Sequence, residues 1–273
     1  MAGSHQPAVP HFYLDGEPHL APERMAALLC EERGITPDQL GVRPVVVATF
    51  FSQLTSYLAE SSGAERSHYG TLGGRDQELY VADGGVCIAT LPFGAPATVS
   101  TMEVMIACGA KTFLVVGAAG SLQPDLPIGS VILPTTAIRE EGTSHHYLPP
   151  EAPAAATAAL VDALRAAWRR DDLEPRAGLH WTTDAPYREH KEKIAAYRER
   201  GVLAVDMEVS ALYAVAQHRD VGCAAILAIS DELYEPWRVG FSMPEFQRAI
   251  VRCGLAALEA AGSGPLAPTS VAE

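Results

Sequence analysis

Short runs of apolar and β-branched residues alternate along this chain with longer segments of helical periodicity. Six runs predict strands: Val45–Phe50, Val86–Leu91, Thr112–Gly117, Ser130–Pro134, Gly178–Thr183 and Ala224–Ser230. Six segments predict helices: Ser52–Glu60, Ala97–Cys108, Ala154–Arg170, Glu189–Glu199, Val205–Arg219 and Pro244–Ala261. This alternation is typical of an α/β fold, here a single-domain, mixed but largely parallel central sheet flanked by helices on both faces.

The alternating pattern also predicts how the chain is divided. Residues 1–42 are rich in proline and polar groups around one short helical pattern, Pro22–Arg33, and we expect an N-terminal arm there. One domain is expected over residues 43–262. Residues 263–273 are expected to form a flexible tail.

Composition restricts the partners of this chain. With 48% hydrophobic residues it can bury a sizeable core, yet none of its apolar stretches approaches the ~20 residues that cross a bilayer. A formal net charge of -13 without a basic cluster disfavours nucleic acid and anionic membranes. The first ten residues do not resemble a secretory signal, and five widely spaced cysteines suit reduced thiols. We therefore expect a cytoplasmic protein with a small-molecule substrate.

An acidic residue, Asp231, follows an otherwise apolar predicted strand. Parallel sheets bind ligands at the carboxyl ends of their strands, so a side chain at this position is placed for chemistry. A buried carboxylate is costly unless it is partnered or used, which favours function over simple solvation here. Such a carboxyl can act as a general acid that protonates a leaving group.

A second acidic residue, Glu208, lies near the start of a predicted helix with Met207 beside it. Two interpretations are equally open. Glu208 can be a first-turn acid that the helix dipole favours. Alternatively, its carboxylate accepts hydrogen bonds from both hydroxyls of a ribose while Met207 lies against the apolar face of the sugar.

Three further segments carry candidate binding groups. The glycine-containing run that begins at Gly117-Ala118 follows a strand and can approach an anion or sugar, although an ordinary strand-to-loop turn is the favoured interpretation of this run alone. The segment after Thr183 offers Tyr187 and Arg188 for stacking on a base, or a capped helix start. The polar segment around Arg139 also contains two adjacent histidines without a third ligand, so we predict no metal site.

Taken together and in this order, these segments resemble the nucleoside phosphorylase superfamily, which includes purine nucleoside phosphorylases, uridine phosphorylases and methylthioadenosine nucleosidases. The resemblance spans Val45–Ala261. Its most specific element is Asp206-Met207-Glu208 followed by Ala211-Leu212, and the next is Ser230-Asp231. Two weaker matches are Pro92–Ala97, which contains Gly94, and Ile128–Ile132.

The resemblance implies a role for each matching residue. Glu208 would hold the 2′- and 3′-hydroxyls, Met207 would pack on the ribose, and Asp231 would protonate the base. The base contacts would come from Tyr187, Arg188 and Thr183, and the anion or loop contacts from Gly94, Gly117, Ala118 and Arg139. No metal or organic cofactor is implied, and inorganic phosphate is a possible co-substrate. The family also implies a homo-oligomer, either built from dimers or a trimer or hexamer, in which His5, His11 or His19 reaches a neighbouring 5′-hydroxyl.

Two departures concern the nucleophile. Phosphorolytic members usually carry Gly-Asp-Pro-x-Arg after the first strand, where this chain has Ala48–Gln53. They also carry an arginine and a hydroxyl in the central loop, where this chain has Val115 and Ala118. Each lost contact to an anion is worth ~1.5–3 kcal/mol. The candidate substitutes are Arg43, Arg139 and Arg188.

The sequence thus favours glycosidic cleavage of a purine-type nucleoside. Phosphorolysis to free base and ribose 1-phosphate is the first interpretation, since it is the default of the superfamily. Hydrolysis of the same bond by water is the alternative that the missing arginines support. A non-catalytic nucleoside-binding module is a third hypothesis, and retention of Asp231 argues against it.

Overall fold

The computed structural model describes residues 13–14, 16, 18–67, 78–168, 174–234 and 236–262. The expected tail at 263–273 and two of the candidate histidines, His5 and His11, lie outside the described residues. His19 lies within them and is exposed. No helix in these ranges is both long enough and apolar enough to span a bilayer.

The described residues form helices and strands in the alternating order that the sequence predicts. The helices are α1 Pro22–Arg33, α2 Ser52–Ser62, α3 Ala95–Ala107, α4 Ala158–Trp168, α5 Lys191–Glu199, α6 Val209–His218 and α7 Pro244–Gly262. The strands are β1 Val45–Thr49, β2 Glu65–Arg66, β3 Leu79–Val81, β4 Val86–Thr90, β5 Thr112–Ser121, β6 Val131–Glu140, β7 Ala154–Ala155, β8 Arg176–Thr183, β9 Ala204–Asp206, β10 Gly222–Glu232 and β11 Arg238–Val239.

All these strands belong to one mixed sheet with the order β11-β10-β6-β8-β9-β5-β1-β4-β3-β2, and β7 pairs with β6. The long strands β4, β1, β5 and β10 run parallel, whereas β6 is antiparallel to β10. Because β10 also pairs with β5, the strands β5, β10, β6, β8 and β9 close a circuit. The sheet therefore curls on itself beside its flat parallel part.

Both faces of the sheet are covered, as predicted. Side chains alternate along β1, so Val46 and Ala48 pack towards α3 and α6, whereas Val47 packs towards α2, α4 and α7. Both core clusters are apolar and buried. The mixed α/β architecture expected from the sequence is confirmed.

Several predicted boundaries were wrong in ways that affect the site. The run beginning at Gly117 is not a turn, because β5 continues through it to Ser121 and pairs with β10 on the other side. The strand predicted at Ser130–Pro134 continues to Glu140 across an irregularity after Pro134, which has no N–H to donate to a ladder. Arg139 therefore lies in a strand.

Two predicted helices begin later than expected. Ala154 and Ala155 pair with β6 as β7, so α4 begins at Ala158. Val205 and Asp206 end β9 rather than opening a helix, and α6 begins at Val209. Strands of two or three residues are too short to show a periodicity, so the sequence pattern did not reveal them.

Candidate active site

A cleft of about 1010 Å³ opens where several strand ends meet. It is lined by the segment after β1, by the last part of β5, by the residues between β9 and α6, and by the end of β10. Sheets of this kind bind ligands at the carboxyl ends of their parallel strands. This cleft brings Asp231, on β10, together with Met207 and Glu208, which lie between β9 and α6.

Glu208 lies immediately before α6 with its side chain turned to the cleft. Its Oε1 accepts a hydrogen bond from the backbone N–H of Gly94 at 2.7 Å. Gly94 has φ 88°, a left-handed value that a side chain would strain. Burial, followed by the charge of Asp206, holds the pKa of Glu208 well above its usual value. Gly94 is thus a support for Glu208 and does not itself line the cleft.

The sequence offered Glu208 as a possible first-turn acid of a helix. In the structure, Asp206 is the acid that caps α6. Its Oδ2 accepts the backbone N–H of Val209 at 2.9 Å, and its Oδ1 accepts the hydroxyl of Thr182 at 2.7 Å. The fully buried His180 has Nε2 3.1 Å from Oδ1, in an orientation that makes no hydrogen bond. Glu208 is not needed for the cap, and its carboxylate is available to a ligand.

Asp231 is the last residue but one of β10 and follows a bulge in the pairing with β5. The hydroxyl of Ser230 donates to its Oδ1 at 2.7 Å, and the indole N–H of Trp237 donates to its Oδ2 at 3.0 Å. A Cβ at Gly120 would lie 3.2 Å from Oδ2 and 2.9 Å from Leu233. Glycine at this position therefore lets β5 pass close to the carboxylate.

The three candidate base contacts are in different places. Tyr187 lines the cleft and is 100% exposed, so its ring is available for stacking. Arg188 is exposed and is not among the lining residues. Thr183 is buried, and its hydroxyl accepts the backbone N–H of Ala185 at 3.4 Å, which fits the capped turn considered as its alternative.

Glu189 lines the same cleft and was not singled out from the sequence. Burial and then the charge of Asp231 raise its pKa to about 7. In the sequence it was the first residue of a predicted helix, a common place for an acid. Nothing in the local pattern could reveal its environment, because that environment comes from β10 and β6.

Arg139 holds a loop and does not line the cleft. Its Nε donates to Ser144 Oγ, Nη1 to the carbonyls of Pro149 and Ala152, and Nη2 to those of Ser144 and Leu148, at 2.7–3.0 Å. All five N–H groups of the guanidinium are used. The hypothesis that Arg139 replaces a missing anion-binding arginine does not fit this geometry.

The other anion candidates give the cleft little positive charge. Ala118 lines it, whereas Gly117 packs between Leu227 and Phe50, and Arg43 is not among the lining residues. Among the described residues that line the cleft, Lys191 has the only cationic side chain. The carboxylates that line it are Glu189, Asp206, Glu208 and Asp231.

An aromatic wall occupies the side of the cleft where the resemblance predicts an anion site. Phe93 stacks on Phe50 with ring centroids 5.8 Å apart and meets Phe51 edge to face at 6.4 Å. Phe241 lines the same cleft. The wall is apolar where a phosphate would need donors.

The two adjacent histidines lie away from the cleft, in a short 3₁₀ turn at Ser144–His146. His145 Nε2 is 3.2 Å from the carbonyl of Arg139. In the part of the chain that the structure describes, no group of three or more His, Cys, Asp or Glu side chains is arranged to hold a metal ion.

Comparison with known proteins shows which sequences and folds this chain resembles. A family model described as "Phosphorylase superfamily" matches residues 44–260. A guanosine phosphorylase of Halorubrum lacusprofundi is 30% identical over 146 residues, 54% of this chain and 61% of that protein. A uridine phosphorylase of Haemophilus influenzae is 28% identical over 148 residues, 49% of this chain and 59% of that protein. The alignments thus span roughly three fifths of these relatives.

Solved structures support the fold. A crystal structure of purine nucleoside phosphorylase from Toxoplasma gondii in complex with immucillin-H has a TM-score of 0.74 and 23% identity, covering 82% of this chain and 92% of that one. A uridine phosphorylase structure from Vibrio fischeri has a TM-score of 0.71 and 24% identity, covering 84% and 93%. The resemblance seen in the sequence is confirmed: this chain belongs to the phosphorylase superfamily.

Proposed function

We propose that this protein is an enzyme that cleaves the N-glycosidic bond of a purine-type nucleoside. The observation that carries the proposal is the placement of Glu208 and Asp231 in one cleft, with Tyr187 exposed at its wall. Gly94 supports Glu208 from outside the cleft, and Ser230 and Trp237, which line it, donate to Asp231, so both carboxylates are held in position.

The proposed mechanism divides the substrate between the two carboxylates. Glu208 accepts the 2′- and 3′-hydroxyls of the ribose, and Met207 packs against the sugar. As the bond from C1′ to the base nitrogen breaks, its electron pair moves into the base and positive charge develops on the ribosyl ring. Asp231 donates a proton to the base, which makes it a better leaving group. The reaction requires no metal or organic cofactor.

The nucleophile that captures C1′ is proposed to be inorganic phosphate. The relatives that match this chain are named guanosine, uridine and purine nucleoside phosphorylases. A partner subunit in a homo-oligomer is one source of the cationic groups that a phosphate needs, and we propose such an assembly on the basis of family membership.

Water is the second candidate nucleophile, and a specific observation favours it. No arginine is among the described lining residues, and the aromatic wall of Phe50, Phe51 and Phe93 stands where phosphorolytic members place polar groups. An anion loses about 1.5–3 kcal/mol with each missing charge-assisted hydrogen bond. Hydrolysis does not have that requirement.

Substitution of Asp231 tests whether the cleft is catalytic. In D231N we expect kcat to fall by about 10²–10⁴-fold, because general acid catalysis contributes about that much, while nucleoside affinity changes much less. The matched control is E192Q, since Glu192 is an exposed acid on α5 outside the cleft. A wild-type protein that binds nucleosides without turnover would instead identify a binding module.

A further inference from the structure

Glu189 and Asp231 line the same cleft from different parts of the chain. It follows the 3₁₀ turn Pro186–Arg188, whereas Asp231 ends β10, and both carboxyls line the cleft. Glu189 is partly buried. Among the residues that the structure describes, none donates a side-chain hydrogen bond to its carboxyl. Besides burial, the influences on this carboxyl are the charges of nearby ionisable side chains.

The charged groups around Glu189 are mostly negative. Asp231 faces it from β10, Glu140 from β6 and Lys193 from α5, and Lys191 lines the cleft at the start of α5. Lys193 forms an ion pair with Glu140, so the positive charge of Lys193 is largely compensated by Glu140. The hydroxyl of Tyr197 also donates to Glu140 Oε2 at 3.1 Å. Burial and these carboxylates together raise the pKa of Glu189 to about 7.

Asp231, in contrast, is surrounded by hydrogen-bond donors. Ser230 donates to one oxygen and Trp237 to the other, so both oxygens act as acceptors. Glu189 is a second carboxyl in the same cleft, and the charge of Asp231 acts on it.

We propose that Glu189 shares with Asp231 the proton that passes to the leaving base, and so acts as a positioning residue for that proton. The inference rests on the proposed glycosidic cleavage. Two neighbouring carboxyls commonly hold one proton between them, because like charges at short range cannot both be ionised without cost. Here the raised pKa of Glu189 keeps the shared proton on Glu189 between turnovers, below about pH 7.

The proton balance of this step closes. As the C1′–N bond breaks, its electron pair moves to the base nitrogen, Asp231 passes a proton to that nitrogen, and Glu189 supplies this proton to Asp231 in the same step. The nucleophile, whether water or hydrogen phosphate, loses one proton as it bonds to C1′, and that proton restores Glu189 through solvent. No oxidant, reductant or further reactant takes part.

Glu189 gives the reaction a pH dependence with a definite sign. Below about pH 7 its carboxyl is mostly protonated, and above that value it loses the proton that the base requires. The value of kcat/KM reports groups of the uncomplexed enzyme. It should therefore fall as the pH rises through about 7, for a nucleoside whose base leaves only when protonated.

The test compares wild type, E189Q and the exposed control E192Q on two nucleosides. One is inosine, whose base requires a proton. The other is 7-methylguanosine at about pH 6, whose base already carries a positive charge and requires no proton to leave. For inosine, E189Q should lose about 10²-fold in kcat/KM and should no longer show the fall near pH 7, while 7-methylguanosine cleavage stays within a few-fold of wild type. E189D should recover part of the loss and the pH limb.

Two results would overturn the inference while leaving the proposed function intact. One is an E189Q profile with the same pH dependence as wild type. The other is an equal loss on both nucleosides with a raised KM, which would identify a base contact or a structural role. Wild-type protein that releases no base from either nucleoside would overturn the proposed function together with the inference. Far-UV circular dichroism of E189Q and E189D checks that both variants fold.

Discussion

At the residue scale, the site depends on two carboxylates that lie two positions apart and differ in role. Asp206 accepts the amide of Val209 and so caps α6, whereas Glu208 accepts the amide of Gly94 and has a raised pKa. The difference follows from their positions. Asp206 is the last residue of β9, and Glu208 lies immediately before α6. We therefore propose Glu208, and not Asp206, as the carboxylate that binds the sugar.

Replacement of Glu208 by glutamine separates activity from stability. In E208Q we expect kcat/KM for a ribonucleoside to fall by about 10-fold, because the amide offers one acceptor oxygen in place of two and a lost hydrogen bond costs about 0.5–1.5 kcal/mol. A 2′,3′-dideoxynucleoside is the control substrate and should discriminate little between the two proteins. Equal kcat/KM of both proteins for the ribonucleoside would contradict the assignment.

The same variant has an expected effect on stability. Because the pKa of Glu208 is raised in the folded state, that state keeps a proton which the unfolded chain has lost, and stability falls as the pH rises above the ordinary range of a glutamate. Glutamine has no such proton. The decrease in unfolding free energy between about pH 5 and 9, measured with urea, should be smaller in E208Q.

Sequence patterns identified some site residues and missed others for a physical reason. Asp231 follows an apolar strand and Glu208 lies near a helix start, and patterns of apolar residues locate both kinds of boundary. Glu189 is special only because Asp231 and Glu140, distant in the chain, lie near it. Arg139 had the chemistry of an anion ligand, but the carbonyls that occupy its donors belong to a loop whose path no local pattern predicts.

At the element scale, β6 and the loop that follows it depend on Arg139. Burial lowers the pKa of this guanidinium, and its hydrogen bonds to residues 144–152 compensate for the loss of water. The loop therefore packs around a single side chain.

Removing that side chain should cost stability and leave the nucleophile unchanged. For R139M we expect the free energy of unfolding to fall by about 2–4 kcal/mol, because several buried carbonyls lose their donors. R176M is the control, since Arg176 pairs with Asp125 on the surface and such pairs contribute about 0–1 kcal/mol. Urea denaturation measures both. If base release by R139M depended on phosphate differently from base release by wild type, Arg139 would be identified as an anion-binding residue.

The order of helices and strands was easier to predict than the way in which the sheet closes. The six long strands and their helices follow from hydrophobic periodicity, which is a local property. The circuit that joins β10 to β5 depends on pairing between distant segments, and the short strand β9 that completes it has three residues. Sequence alone therefore predicts the layers and not the curl that places Asp231 against Gly120.

At the scale of the whole molecule, the distribution of charge bears on whether the nucleophile is phosphate or water. The chain has a formal net charge of -13, and several of its carboxylates line the cleft. Both features oppose the capture of phosphate by a single subunit. The relatives named as phosphorylases nevertheless place phosphorolysis first among the proposals. A second subunit that contributes cationic groups would reconcile these observations.

Product analysis tests the central claim most directly. Purified protein is incubated with a panel of purine and pyrimidine nucleosides, with and without inorganic phosphate, and the products are resolved as base, ribose and ribose 1-phosphate. The account predicts release of base from a purine nucleoside. Phosphate-dependent ribose 1-phosphate would establish phosphorolysis, and ribose without phosphate would establish hydrolysis. Absence of base from every nucleoside under both conditions would contradict the account.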